Sequence, residues 1–205
     1  MATFLLIRHG NNDFMRKGLA GRLPDVHLNE SGRQQAYNLA ATLGAAPIKA
    51  IYSSPMERAL ETARPLAELK GLEVQQAPGL VEIDYGEWQG KTFKQLTRTN
   101  LWKLLMKDPA PVRFPGGEMI CEAQERARLE LERISATLDE KDLAACFTHG
   151  DIIRLIAAYY LEMPLHAYHR LSAFTASVSV ITLNKENQAR LFNINQVDGF
   201  NFKKE

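Results

Sequence analysis

Cysteine, long hydrophobic runs and net charge are all scarce in this 205-residue sequence. Its two cysteines, Cys121 and Cys146, fall in a predicted helix and a predicted buried strand, which favours a reducing compartment over a disulfide framework. No segment reaches the roughly 20 consecutive apolar residues that a membrane helix needs. The apolar run at the N terminus ends at Arg8 without a signal-peptide cleavage site. We therefore expect a soluble, cytoplasmic protein without a membrane partner.

Other absences narrow the partners and cofactors. A formal net charge of +1 without a dense lysine or arginine block gives no reason to expect a nucleic-acid partner. No glycine pattern matches a Walker A loop or a dinucleotide fingerprint, so ATP or NAD dependence is not expected. His166 and His169 form a His-x-x-His pair, but no cysteine or carboxylate cluster accompanies them. We predict neither a metal nor an organic cofactor.

What is present is an alternation of strands and helices. Hydrophobic residues make up 45% of the chain, enough for one buried core, so we predict a single domain over residues 1–205. The segments at residues 3–7, 50–55 and 142–147 each contain a near-continuous apolar run, as in strands that a parallel sheet buries on both faces. A helical pattern follows each one. The predicted fold class is α/β, a three-layer sandwich with a mostly parallel central sheet and helices on both faces.

Periodicity and turn residues predict the remaining elements. The predicted helices cover residues 33–43, 55–69, a segment through residues 96–105, residues 118–138 and a segment after residue 149. Residues 177–183 and 189–194 are predicted to be strands joined by a hairpin turn. A loop rich in proline and glycine near residues 109–117 is a candidate cover for a pocket.

Basic and imidazole side chains follow the three apolar strands. Arg8 and His9 come directly after the first, Arg58 lies in the helix after the second, and His149 ends the third. Because ligands of open α/β sheets bind beyond the carboxyl ends of the strands, we expect these four residues to converge on one pocket. The carboxylate-rich segment at residues 80–90 is placed at the mouth of that pocket.

Four motifs occur along the chain in a fixed order. They are Arg8-His9-Gly10, Ser53-Ser54-Pro55 followed by Arg58-Ala59, the segment from Glu82 to Gly90 with its Tyr-Gly-x-Trp-x-Gly pattern, and Thr148-His149-Gly150-Asp151. In this order and over nearly the whole chain, they resemble the histidine phosphatase superfamily, which has the phosphoglycerate-mutase-like fold.

The resemblance implies hydrolysis of a small phosphorylated metabolite through a phosphohistidine on His9. A neutral imidazole suits this role, because it avoids the repulsion that a carboxylate or thiolate meets at a phosphate dianion. By the same resemblance Arg8, Arg58 and His149 bind the phosphoryl group. Glu82 aligns with the superfamily's general acid.

Two further carboxylates, Asp84 and Glu87, are rivals of Glu82 that the residues alone do not exclude. The neighbouring aromatic side chains and the bound phosphate are expected to raise the pKa of the acid. A proton is then available at neutral pH for the leaving alkoxide.

The segment after the first motif departs from the superfamily pattern. Met15 stands where an asparagine usually helps to bind the phosphate, so Asn12 is a candidate substitute. Gly21 and Arg22 lie in the superfamily's substrate loop, and Arg22 is either a contact for a second anionic group or a solvated surface arginine. Gly150 opens the predicted helix, where backbone amides favour an anion.

Competing functions remain open. A phosphoglycerate-type mutase would return the phosphoryl group to its substrate, but the chain is shorter than typical cofactor-dependent mutases and lacks their long lid insertion. A non-catalytic phosphate-binding module would be expected to lack one of the pocket histidines or arginines. Whether the chain forms a homodimer is also left open.

Overall fold

The computed structural model describes residues 1–197 of the chain. Its strands are β1 (Ala2–Arg8), β2 (Ile48–Ser53), β3 (Val74–Gln76), β4 (Leu143–Thr148), β5 (Val178–Leu183) and β6 (Ala189–Gln196). Its α-helices are α1 (Glu30–Leu43), α2 (Glu57–Lys70), α3 (Phe93–Leu96), α4 (Asn100–Lys107), α5 (Ile120–Ser135) and α6 (Gly150–Tyr160). Three 3₁₀ helices cover Pro78–Leu80, Gly86–Trp88 and Leu165–Arg170. The predicted single domain also includes residues 198–205, which lie outside the described part.

The strands form one six-stranded sheet in the order β3-β2-β4-β1-β5-β6. The pairs β3/β2, β2/β4 and β4/β1 are parallel, and the pairs β1/β5 and β5/β6 are antiparallel. The mostly parallel sheet predicted from the apolar runs is therefore confirmed. Both antiparallel pairs involve the tail hairpin, which a short turn at residues 184–187 can connect.

Each central strand is buried on both faces because helices cover the sheet on both sides. In β1, Leu5 and Ile7 pack with residues of α1 and α2, whereas Phe4 and Leu6 pack with residues of α5 and α6. Successive side chains of a strand point to opposite faces, so one apolar run supplies both layers. The predicted three-layer sandwich is confirmed.

Helix boundaries follow local capping chemistry. Asn29 precedes α1, and its side chain accepts a hydrogen bond from the Gly32 N–H at 2.9 Å. At the end of α2, Gly71 adopts the left-handed conformation with φ +63°.

The predicted continuous helix through residues 96–105 is wrong, because two separate caps divide the segment. Thr92 caps α3 by accepting from the Gln95 N–H, and Thr99 starts α4 by accepting from the Trp102 N–H at 3.1 Å. The predicted helix over residues 118–138 is shorter and covers Ile120–Ser135. The short edge strand β3 and the 3₁₀ helix at Leu165–Arg170 were not predicted, because neither carries a long periodic pattern.

Candidate active site

The carboxyl ends of β1 and β4 lie side by side, since Arg8 pairs with Thr148 in the sheet register. The next residues, His9 and His149, have ring centroids 5.2 Å apart. Arg58 lies in the first turn of α2, and its Nη2 is 3.2 Å from His149 Nδ1. A cavity of about 400 Å³ lies at this edge, and its lining includes Arg8, His9, Arg58 and Glu82. The structure thus brings together the residues expected to converge.

His9 has one unprotonated ring nitrogen, Nε2, and the residue lines the cavity. Its Nδ1 lies 2.8 Å from the Gly10 carbonyl oxygen, and a carbonyl only accepts, so Nδ1 carries the hydrogen. The other nitrogen, Nε2, is then unprotonated in the neutral ring. Burial, together with the charges of Arg58 and Arg8, holds the pKa of His9 well below its usual value. The ring is therefore neutral at neutral pH and able to act as a nucleophile.

The two arginines are held by backbone carbonyls and keep part of each guanidinium unpaired. Arg8 Nη1 donates to the Ala173 carbonyl at 2.6 Å, and Arg58 Nη2 donates to the Gly21 carbonyl at 2.8 Å. The buried Arg8 Nε and Arg58 Nη1 have no hydrogen-bond partner among residues 1–197. Burial lowers the pKa of both arginines, opposed by the carboxylate of Glu82. Buried donors without partners are costly, and an anion in the cavity would satisfy them.

His149 is completely buried and serves as the N-cap residue of α6. Because a guanidinium only donates, His149 Nδ1 accepts from Arg58, and Nε2 donates to Ser54 Oγ at 2.8 Å. Burial and the charge of Arg58 keep the pKa of His149 well below its usual value. For His149 to donate to a phosphoryl oxygen, its hydrogen must move to Nδ1, with the Ser54 hydroxyl then donating to Nε2.

Glu82 is the candidate acid that lies in the cavity. Its Oε1 accepts from the Ile83 N–H at 2.9 Å, and its Oε2 is 3.9 Å from His149 Nδ1. Burial and the negative charge of Asp151 raise the pKa of Glu82 to about 7, against the opposing charge of Arg58. A carboxyl group with this pKa holds a proton in much of the population at neutral pH and can donate it.

The rival carboxylates lie elsewhere. Asp84 Oδ1 accepts from the Gly86 N–H at 2.9 Å, and Glu87 is exposed. Neither is among the described residues that line the cavity. Between these three carboxylates, the geometry favours Glu82.

The residues predicted to bind substrate divide into two groups. Asn12 and Gly21 line the cavity. Asn12 Oδ1 accepts from the Phe14 and Met15 N–H groups at 3.0 and 3.2 Å, which leaves its amide N–H groups for a ligand. Gly21 has φ +54°, a conformation that favours glycine. Its carbonyl holds Arg58.

Arg22 and Gly150 do not line this cavity in the described part of the chain. Arg22 Nε donates to the Glu82 carbonyl at 2.9 Å, and its Nη2 donates to Glu118 Oε1 at 2.9 Å. The Arg22 guanidinium therefore stabilises the segment that carries Glu82. The sequence had predicted either a contact for a second anionic group or a solvated surface arginine, and the structure shows neither. A Cβ on Gly150 would lie 3.1 Å from Arg8 Cζ, so this glycine allows Arg8 to lie against the start of α6.

Several residues of the site were given no chemical role from the sequence. Ser54 orients His149, and Thr62 Oγ1 accepts from the Gly10 N–H at 2.9 Å. Tyr85 donates to Asp151 Oδ2 at 2.7 Å, and Arg154 pairs with the other Asp151 oxygen. Ser54, Tyr85 and Asp151 all stand within the four motifs, so the motifs were the available signal. The role of Thr62 was not predictable from the sequence, because it depends on how α2 packs against Gly10 in the folded protein.

A cavity with two guanidinium groups that each keep an unpaired donor and with a neutral histidine suits a phosphate dianion. It lies beyond the carboxyl ends of the strands, where open α/β sheets bind their ligands. Comparison with known families identifies the group. The chain belongs to the histidine phosphatase superfamily (branch 1), whose family model matches residues 4–195.

Individual relatives include both phosphatases and a mutase. The chain is 28% identical over 193 residues to phosphoserine phosphatase 1 of Hydrogenobacter thermophilus, covering 93% of this chain and 91% of that one. It is 30% identical over 186 residues to the 2,3-bisphosphoglycerate-dependent phosphoglycerate mutase of Thermoplasma acidophilum, covering 88% and 87%. The solved structure of Bacillus stearothermophilus YhfR superposes with a TM-score of 0.89 at 26% identity, covering 97% and 98%. The chain is therefore an enzyme of this superfamily, a phosphatase or a mutase.

No helix within the described residues is long and apolar enough to cross a membrane.

Proposed function

We propose that this chain hydrolyses small phosphomonoesters in two steps through a phosphohistidine on His9. One observation carries the proposal. The unprotonated Nε2 of His9 shares a cavity with two buried arginines whose free donors have no protein partner among residues 1–197. A nucleophile and unpaired cations at one place are what phosphoryl transfer requires.

In the first step, His9 Nε2 attacks phosphorus while the bond from phosphorus to the ester oxygen breaks. The Glu82 carboxyl transfers its proton to the departing oxygen, so the alcohol leaves uncharged. The imidazole becomes positively charged when it is phosphorylated. The hydrogen bond from His9 Nδ1–H to the Gly10 carbonyl fixes the ring and stabilises that charge.

In the second step, the Glu82 carboxylate takes a proton from water, and the oxygen attacks phosphorus. The bond between phosphorus and His9 breaks, and inorganic phosphate leaves. Glu82 is protonated again and the imidazole is neutral again, so the enzyme returns to its starting state. One carboxyl group therefore serves as acid and then as base.

Arg8 and Arg58 stabilise the charge on the non-bridging oxygens of the phosphoryl group. Loss of one well-placed donor of this kind typically raises the barrier by about 3 kcal/mol. Asn12 adds amide donors at the same cavity. It takes over the role of the superfamily's usual asparagine, whose position is occupied by Met15 in this chain. Arg22 acts indirectly by holding the backbone of Glu82.

Hydrolysis is favoured over mutase activity by the charges of the cavity. A mutase must hold its substrate's second anionic group while the phosphoryl group moves. The third arginine of the described lining, Arg154, is already paired with Asp151.

Hydrolysis of p-nitrophenyl phosphate tests the proposal. Wild-type protein should release p-nitrophenol and inorganic phosphate, and His9→Ala should lower the rate at least about 1,000-fold. His166→Ala, which removes an exposed histidine, is the matched control and should keep the wild-type rate. A His9→Ala variant that keeps about a tenth of the activity would show that another group is the nucleophile.

A further inference from the structure

Beyond the phosphate-binding residues, one side of the active-site cavity is apolar, whereas polar and charged side chains that include Asp151, Arg154 and His169 line another part. The side chains forming the apolar side are Leu19, Phe93, Trp102, Leu105, Met106 and Phe114. Most of them come from α3, α4 and the loop that follows. We call these six residues the apolar wall.

The aromatic members of the apolar wall are held in place by ring contacts. Trp102 stacks on Trp88 with centroids 6.0 Å apart, and Phe93 meets Trp102 edge to face at 6.2 Å. Phe114 contacts Trp88 at 5.4 Å. Since Trp88 is buried, it anchors Trp102 and Phe114 directly and Phe93 through Trp102. The wall is therefore formed before any ligand arrives.

Part of the apolar wall faces open space. Phe93 is 36% exposed and Met106 is 47% exposed, although both lie at the cavity. Large apolar side chains gathered at a cavity and left in contact with water mark a surface that a ligand covers.

In the described lining, Arg154 is the one cation besides Arg8 and Arg58, and Asp151 balances its charge. Arg154 Nη2 donates to Asp151 Oδ1 and the guanidinium lies over the Tyr168 ring at 5.4 Å, although its buried Nε has no hydrogen-bond partner among residues 1–197. Burial lowers the pKa of His169, which leaves that ring neutral at neutral pH. A carboxylate on the substrate would therefore meet a balanced ion pair at Arg154 and Asp151 and gain little from it.

We propose that the alcohol part of the substrate is uncharged and apolar, with a ring that packs against Trp102 and Phe93. This proposal rests on the proposed phosphatase activity and names its substrate class. It places the phosphoryl group at His9 and the apolar group on the wall formed by α3 and α4.

Three esters of primary alcohols test the proposal, because they differ in the leaving group's polarity and charge. Benzyl phosphate is apolar, glycerol 3-phosphate is polar and uncharged beyond its phosphate, and 3-phosphoglycerate carries a carboxylate. We expect kcat/KM for benzyl phosphate to exceed that for each of the others about 10- to 100-fold, as burial of one ring can supply. Release of inorganic phosphate is the readout.

Variants locate the preference. Trp102→Ala and the more exposed Phe93→Ala should each lower the ratio of kcat/KM for benzyl phosphate to that for glycerol 3-phosphate by about 10-fold. Phe192→Ala removes a ring that is 68% exposed on β6 and should leave the ratio unchanged. Met106→Lys, at an exposed position of the wall, should raise the ratio for 3-phosphoglycerate over benzyl phosphate.

The outcomes separate the two proposals. Equal or greater kcat/KM for 3-phosphoglycerate or glycerol 3-phosphate would overturn the apolar substrate class and leave the phosphatase intact. A benzyl preference that survives both Trp102→Ala and Phe93→Ala would overturn the assignment of the wall. No hydrolysis of any of the three esters, with p-nitrophenyl phosphate also left intact, would overturn the phosphatase itself.

Discussion

At the scale of single residues, the chemistry of the site comes from the surroundings of ordinary side chains. Glu82 has its pKa raised to about 7 because it is buried and faces Asp151. His9 is neutral because it is buried beside two arginines. On the surface at neutral pH, a glutamate would be ionised and a histidine would be partly protonated.

Glu82→Gln should separate esters by their leaving groups. Gln cannot donate a proton, so kcat/KM for an alkyl ester such as benzyl phosphate should fall about 10²- to 10⁴-fold. The loss for p-nitrophenyl phosphate should be much smaller, because p-nitrophenolate leaves without a proton. Glu87→Gln, at an exposed position, is the matched control and should change neither rate. Equal losses for both esters would remove Glu82 from the role of acid.

The pH dependence should report the same group. Glu82 must be protonated to act as acid, so kcat/KM for an alkyl ester should fall as the pH rises through about 7, the value to which burial raises the pKa of Glu82. In Asp151→Asn the negative charge beside Glu82 is lost, and this fall should move to lower pH. An unchanged profile in Asp151→Asn would show that Asp151 does not act on Glu82.

The sequence predicted which residues form the site better than it predicted their hydrogen-bond partners. The order of the motifs was enough to select Arg8, His9, Arg58, Glu82 and His149 for one cavity, where the structure places them or directly beside it. The partners of Arg22 were not predictable, because Glu118 lies far along the chain and meets it only after folding. Likewise, the sequence did not show that His149 accepts from Arg58.

At the scale of secondary-structure elements, the parallel register of β1 and β4 positions the site. Both strands end at the same edge, so two histidines separated by most of the chain become neighbours. The start of α6 supports this edge, because Gly150 leaves room for Arg8.

Gly150→Ala should therefore impair activity without unfolding the protein. A Cβ there would lie 3.1 Å from both Arg8 Cζ and Nε, so the guanidinium must shift. Small displacements of catalytic groups can cost about 100-fold, and we expect kcat/KM to fall about 10- to 100-fold with Tm little changed. Gly71→Ala is the contrasting control. Its φ of +63° predicts a lower Tm by strain of about 1 kcal/mol, with unchanged kcat/KM.

The elements that the sequence predicted are those with long patterns or strong caps. The helices predicted at residues 33–43 and 55–69 match α1 and α2, which are bounded by the caps Asn29 and Gly71. The break between α3 and α4 was missed because the signals that mark it, Thr92 and Thr99, are single capping residues within a segment that contains several leucines. That break matters, since both helices contribute to the apolar wall.

At the scale of the whole molecule, the sheet order and the two helical layers match the superfamily fold. The proposed mechanism stabilises the charge of the phosphoryl group with side chains of the protein, Arg8, Arg58 and Asn12. Within residues 1–197, no group of three or more histidine, cysteine, aspartate or glutamate side chains is close enough together to hold a metal ion.

Activity should accordingly persist after dialysis against EDTA. We expect kcat/KM for p-nitrophenyl phosphate to remain within about twofold of the untreated enzyme, because the stabilising charges are covalently part of the chain. The control is the same enzyme with zinc or magnesium added back after dialysis. A loss of activity that either metal restores would contradict a mechanism based on arginine and histidine.

Trapping the phosphorylated enzyme tests the phosphohistidine mechanism. Protein mixed with ³²P-labelled benzyl phosphate or p-nitrophenyl phosphate should be quenched in alkali during turnover, digested and mapped. We expect label on His9, stable in base and lost in acid, and none in His9→Ala. Label that survives acid, or that maps to a residue other than His9, would contradict it.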